Sequence, residues 1–450
     1  MDDQQIREAL QTATDTQDVV LGEDVLGSVG EVFRRNFEDR SAIVIADGIT
    51  WDVAGEQVQR SLDDAGCERV EPYVYPGEPV LYAKYENVEK LVEALREHDA
   101  VPIAVGSGTL NDLVKRAAHE VERPYLVVGT AASMDGYTSF GASIAKEGHK
   151  QTLECPAPRA AVLDLQVATQ APDRLTASGF GDLIGKIPAG GDWILADALG
   201  VEPIDDEVWE RVQGPLRDAI ANPADLQAGD RGAMEALVEG LVMSGLAMQA
   251  HQSSRPASGA EHQFSHLWEM EGLGVDHDPP LSHGFKVGLG TISIAALYER
   301  VLARDLSAID VQALVDAWPS REEMERSVRA AHDKLEDMAV EQTLGKYVTA
   351  DELAERLERL RERWPELQQW LREQLLAPEE LERRLQAAGC PTRPSEIGLE
   401  LEDFKATYTR SQMIRTRYTI LDVAKETGIL SECVEELFAP GGYWADESRH

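Results

Sequence analysis

From Ala42 to Leu165 short apolar runs alternate with amphipathic segments, and this alternation restricts the fold more than any other feature of the chain. SAIVIADG carries a β-rich run, Ala42 to Ala46, that ends in Asp47-Gly48. That pattern predicts a buried strand feeding a turn. TWDVAGEQVQRSLDDAG then reads as a helix ended by Gly66, and VEPYVYPG as a second strand. ENVEKLVEALREHD is amphipathic at helical spacing. VPIAVGSGTLNDLVKRAAHEV reads as strand, glycine turn and helix, PYLVVGTAAS as a strand, and PRAAVLDL as one more near Val162. The first forty residues read as helix, with GEDVLGSVGEVFRRNF at helical spacing. Strands alternating with helices predict a parallel sheet covered by helices.

From about Ala171 onward the pattern becomes helical throughout. RGAMEALVEGLVMSGLAMQAH and GFKVGLGTISIAALYERVL are apolar helices, and DELAERLERLRERWPELQQWLREQLL is a charged surface helix. The expected architecture is an N-terminal Rossmann-like α/β domain, residues 1–170, followed by an all-α domain, residues 171–450. The ligand site is expected in the cleft between them.

Composition narrows the function. The 450 residues carry a formal net charge of −38, so nucleic acid and anionic membranes are poor partners. No apolar run is long enough to span a bilayer, and the polar, acidic N-terminus is unlike a secretory signal. A cytoplasmic protein without membrane insertion is expected. Cys67, Cys155, Cys390 and Cys433 are scattered and predict reduced thiols. Dense carboxylates with scarce lysine suggest adaptation to salt, which screens their mutual repulsion. On that hypothesis the thermal unfolding midpoint rises between low and molar KCl; a flat or falling midpoint removes the idea.

The chemistry concentrates in a few places. Gly106, Ser107 and Gly108 fall between a strand and a helix, where backbone N–H groups and the helix dipole favour a nucleotide phosphate. The third glycine of the dinucleotide fingerprint is missing, and Asn111 and Asp112 stand there instead. Asp47 at a strand end suits either a ribose hydroxyl or an Asp-Gly turn. Farther on, RPASGAEHQFSHLWEMEGLGVDHDPPLSHG holds His262 and His266 one helical turn apart and returns with His283; His251 lies just upstream. Imidazoles so grouped suit zinc, nickel or iron, or are ordinary helix-surface and core histidines. Asp182 in SGFGDLIGK is either a helix-start carboxylate or the acidic partner of His262 and His283 in a three-ligand metal site.

GSGTLNDLVK, TAASMDGYTSFGA, SGFGDLIGK, RPASGAEHQFSHLWE and PPLSHGFKVGLG, in this order, resemble sn-glycerol-1-phosphate dehydrogenases, the bacterial branch in particular. That family lies within the superfamily of metal-dependent alcohol dehydrogenases and dehydroquinate synthases. The resemblance implies metal ligation by Asp182, His262 and His283, with zinc or nickel as the ion. It places His266 near nicotinamide and substrate, and Asp135 against the substrate. It places Gly106, Ser107, Gly108 and Asn111 at the pyrophosphate, Asp47 at the adenosine end, and Thr130, Ser133 and Ser139 along the cofactor. The implied reaction is reduction of dihydroxyacetone phosphate to sn-glycerol 1-phosphate with NADH or NADPH, supplying a glycerophosphate lipid backbone. A homodimer is compatible with it. Lys186, one turn after Asp182, is the first candidate for the substrate phosphate, ahead of Arg255 and Lys150. A polyol dehydrogenase of the same superfamily and a non-catalytic metal- or nucleotide-binding relative are the competing readings.

Overall fold

The computed structural model describes residues 3–78, 80–146 and 149–445. Its strands are β1 (Asp18–Gly22), β2 (Ala42–Asp47), β3 (Tyr73–Tyr75), β4 (Val101–Gly106), β5 (Leu126–Gly129), β6 (Ala142–Lys146), β7 (His149–Leu153) and β8 (Ala160–Asp164). Six form one parallel sheet in the order β1-β8-β5-β4-β2-β3. Every residue of β4, β5 and β8 is buried, as a sheet with both faces covered requires. The alternation in the sequence therefore has its expected outcome.

Two features differ from the sequence reading. The first forty residues hold helices at Asp3–Leu10 and Val29–Phe37, but between them DVVLG forms β1 at the sheet edge, with Val20 opposite Val162. Pairing with β8 overrides the local helical spacing. The second is the antiparallel hairpin β6–β7, with Ser143 opposite Thr152. Its polar sequence gives only a weak strand signal.

From Asp173 onward the described chain holds helices and no strand. The helix His283–Leu302 is buried on nearly every face and packs along the helices Asp173–Ile184 and Ala260–Met270. Glycines set that approach. A Cβ at Gly284 would lie 1.7 Å from the Ser178 carbonyl oxygen, and one at Gly181 would lie 2.3 Å from the Gly284 carbonyl oxygen. The helix Ala350–Gln374 starts with a Thr349–Glu352 capping box. It buries Leu353, Leu357, Leu360, Trp364, Leu367 and Leu371, leaving its charged faces outward. One apolar core joins the halves, running from Ile45 and Leu110 to Leu371 and Trp444. All four cysteines are unpaired. Among the described residues no helix is long and apolar enough to cross a membrane.

Candidate active site

Parallel strands bring Asp47, Gly106 and Gly129 to one edge of the sheet, the edge where such folds bind ligands. Ser107 precedes the helix Gly108–Glu120 without capping it through its side chain, which leaves the first backbone N–H groups open to an anion. Glycine is needed here for close packing. A Cβ at Gly106 would come within 2.6 Å of Leu110, and one at Gly108 within 2.7 Å of Met134. Asn111 faces inward: its Nδ2 donates to the Gly136 carbonyl at 3.0 Å and its Oδ1 accepts from Tyr125 at 3.0 Å. Buried Lys115 donates to the carbonyls of Gly136, Ser139 and Gly141. These two side chains fasten the segment that carries Asp135.

Thr130 donates its backbone N–H to Gly106, and Ser133 Oγ lies 3.3 Å from the Tyr137 hydroxyl; Thr130, Ser133 and Ser139 are all buried. Asp47 Oδ1 accepts from the N–H groups of Ile49 and Thr50 and from the Thr50 hydroxyl, a helix cap that occupies one carboxylate oxygen.

Asp182, His262 and His283 come from three different helices, and one ligating atom from each lies within 4.8 Å of the others. His262 Nε2 is 3.5 Å from Asp182 Oδ1. His262 Nδ1 is 2.7 Å from Glu261 Oε1, and His283 Nδ1 is 3.0 Å from Glu269 Oε1. Carboxylates on both Nδ1 atoms orient the rings and leave each Nε2 lone pair for a metal. Burial pushes the Asp182 carboxyl up, but Lys186, His262 and His283 outweigh it and hold it well below the usual carboxylate range. Burial likewise lowers the His262 imidazole, and hydrogen bonds to Asp182 and Glu261 more than restore it. One carboxylate and two imidazoles, each backed by a second group, fit one divalent ion.

His266 completes a cluster of rings, its centroid 5.9 Å from His262 and 5.8 Å from His283. Burial pushes its pKa down to about 3, so the ring is neutral at ordinary pH. Asp135 joins through its backbone, which donates to Asp182 Oδ2 at 2.9 Å, while its carboxylate accepts from Ser244 at 2.9 Å. This bond ties the α/β half to the three candidate metal ligands.

Lys186 lies on the Asp182 side, as its spacing suggested, but sealed from solvent. It is fully buried, and its ammonium meets the Asp182 carbonyl at 2.9 Å, Asp182 Oδ1 at 2.5 Å and Asp135 Oδ2 at 3.0 Å. Three partners leave its three N–H groups none for a phosphate. Arg255 is also buried, against Glu202 and the Tyr418 carbonyl, and the His251 ring lies tilted against Trp193. Lys150 does reach the site, 3.2 Å from Glu269. Sequence reasoning missed Glu261, Glu269, Lys286 and Arg415. The two carboxylates were within reach: Glu261 adjoins His262, and Glu269 falls on the His262–His266 helix face.

A parallel sheet with its glycine turn, joined to a helical half that converges one carboxylate and two imidazoles, defines the class of metal-dependent dehydrogenases. The family model described as iron-containing alcohol dehydrogenase matches residues 20–172. The glycerol-1-phosphate dehydrogenase (NAD(P)+) of Halalkalibacterium halodurans is 33% identical over 71% of this chain and 84% of its own. That of Methanosarcina mazei is 36% identical over 63% of this chain and 76% of its own. In fold, the crystal structure of glycerol dehydrogenase from Schizosaccharomyces pombe superposes with a TM-score of 0.59 at 18% identity, covering 97% of this chain and 95% of that one. The chain belongs to the glycerol-1-phosphate dehydrogenase family of iron-containing-type alcohol dehydrogenases and is an oxidoreductase.

Proposed function

We propose that this protein reduces dihydroxyacetone phosphate to sn-glycerol 1-phosphate with NADH or NADPH, furnishing a glycerophosphate backbone for lipids in the cytoplasm as a homodimer. The observation that carries the reading is the convergence of Asp182, His262 and His283 beside the loop that bears Asp135, in a chain similar to enzymes of that name. On this reading residues 1–170 carry the nucleotide and residues 171–450 the metal and most substrate contacts.

Asp182, His262 and His283 hold one divalent ion, zinc or nickel. When bound, the ion supplies Lewis-acid polarisation of the ketone oxygen. Backbone N–H groups at Gly106, Ser107 and Gly108 take the pyrophosphate, with Asn111 bracing the turn from inside. Asp47 offers its uncommitted oxygen to the ribose. Thr130, Ser133 and Ser139 line the cofactor's path. Asp135, steadied by Ser244 and Lys186, orients a substrate hydroxyl. The neutral His266 ring relays a proton near the reacting carbon. Lys186 restrains Asp182 and Asp135.

The test is NAD(P)H oxidation with dihydroxyacetone phosphate and with free dihydroxyacetone, run across zinc, nickel and iron, with product chirality determined. Expected is the sn-glycerol 1-phosphate enantiomer and a much higher kcat/KM for the phosphorylated ketone. Preference for the free ketone would move the assignment to a polyol dehydrogenase. No oxidation with any metal would favour a non-catalytic relative.

A further inference from the structure

We propose that Lys150, Lys286 and Arg415 form an anion pocket beside His283 and His266 that takes the phosphate ester of the substrate; the proposal rests on the phosphorylated-ketone reading above. A chain with a net charge of −38 repels a dianion over most of its surface, so a phosphate ester needs a local island of cations. The three side chains supply one. They come from distant segments: Lys150 from β7, Lys286 from the first turn of the His283–Leu302 helix, and Arg415 from the chain just past Ser411–Ile414.

Two of them meet at one carboxylate, and the third lies within its electrostatic reach. Glu269 Oε1 lies 3.2 Å from Lys150 Nζ and 3.7 Å from Lys286 Nζ. Arg415 is close enough for Glu269 to raise its pKa against the larger effect of burial. Positive charge therefore outnumbers negative here, Glu269 being joined by buried Asp112, which also acts on Lys150; Glu269 also holds the His283 ring.

The cations are under-partnered. Lys286 is 3% exposed, yet it makes no hydrogen bond within bonding distance among the described residues. Arg415 has neither a side-chain hydrogen bond nor an ion pair among the described residues. A buried ammonium with one distant carboxylate and a half-buried guanidinium with no side-chain hydrogen bond are costly, and a ligand with several anionic oxygens would satisfy both. The remaining buried cations nearby are already committed. Lys186 is saturated by Asp182 and Asp135, and Arg417 bonds Ser254 and Ser258.

Glu269 fixes the geometry of the pair of sites. The same carboxylate meets His283, Lys150 and Lys286 at Oε1 and His266 at Oε2, so the rings and the cations share one neighbour. A ketone held at the metal ligands would extend its short phosphate arm past these rings into the pocket. Lys150, His266 and His283 keep between 17% and 24% side-chain exposure, so the place is reachable from solvent.

The experiment measures binding of inorganic phosphate to the full metal-loaded chain by calorimetry, alongside the kinetics of both ketones. Arg415→Met and Lys286→Met should each weaken phosphate about 10- to 100-fold. They should lower kcat/KM for dihydroxyacetone phosphate through KM, far more than for free dihydroxyacetone. Arg415 has no side-chain hydrogen bond or ion pair to lose among the described residues, so its variant keeps the test valid if Lys286→Met folds poorly. Unchanged phosphate binding in Arg415→Met, no phosphate binding by the parent chain, or equal losses for both ketones would overturn the pocket. Phosphate binding that depends on these residues, in a parent chain that does not reduce the phosphorylated ketone, would support the pocket and defeat the proposed reaction.

Discussion

His262→Ala is expected to lose metal and activity together, whereas His266→Ala keeps the metal and loses rate. His262 presents Nε2 3.5 Å from Asp182 Oδ1 and has its Nδ1 fixed by Glu261. Removing the ring deletes one of three protein ligands and leaves Glu261 buried without its imidazole partner. Bound metal, measured by elemental analysis after dialysis, should fall to a small fraction of one per chain. Glu261→Gln probes the same ligand from behind: a weaker acceptor on Nδ1 should cost about 10- to 100-fold in metal affinity with all three ligands present. His266 differs. Its Nδ1 is 3.5 Å from Glu269 Oε2 and its ring is neutral at ordinary pH. Loss of a proton-transferring group costs about 10²- to 10⁴-fold in rate. His266→Ala should therefore retain stoichiometric metal while kcat drops by that order. Metal lost equally from both variants would end the division of roles.

Much of this arrangement was legible in the sequence because it rests on local patterns. β2, β4, β5 and β8 are buried strands, and such strands write themselves as continuous apolar runs. The Asp182, His262 and His283 set could be named from one helix turn and two short motifs. What spacing could not supply was depth. Lys186 lies one turn from Asp182, and spacing alone allows either a solvent-facing cation or one sealed against that carboxylate. It is sealed. Asn111 is placed toward the cofactor by the family resemblance, and its amide bridges Tyr125 and Gly136 inside the protein. Lys150 was already a candidate for the phosphate, but the pocket as a group was invisible for another reason. Its members stand at positions 150, 286 and 415, and only the fold brings them to Glu269. Lys150 also depends on the β6–β7 hairpin, whose mixed polar sequence gives only a weak strand signal.

Gly284→Ala should destabilise the protein on the order of 3 kcal/mol and weaken metal binding as well. Gly284 follows His283 directly, on the helix that crosses the one carrying Asp182. A methyl there would sit 1.7 Å from the Ser178 carbonyl oxygen and 2.6 Å from its carbon. Both are backbone atoms of a helix, so no side chain can swing aside; the helices must separate. Gly181 makes the reciprocal approach: a Cβ there would lie 2.3 Å from the Gly284 carbonyl oxygen. Spreading this contact moves Asp182 and His283 apart, because each ligand lies beside one of the two glycines. Metal sites tolerate only small changes in ligand position, so affinity should drop even in molecules that stay folded. Gly27→Ala is the control: a Cβ there meets nothing within 4 Å, and its effect should stay within about 0.5 kcal/mol. Denaturant unfolding of the metal-free chains measures the first effect, and competition with a chelator measures the second. If Gly284→Ala unfolds with the parent midpoint, or holds metal as tightly as the parent, the helix crossing does not set the ligand spacing.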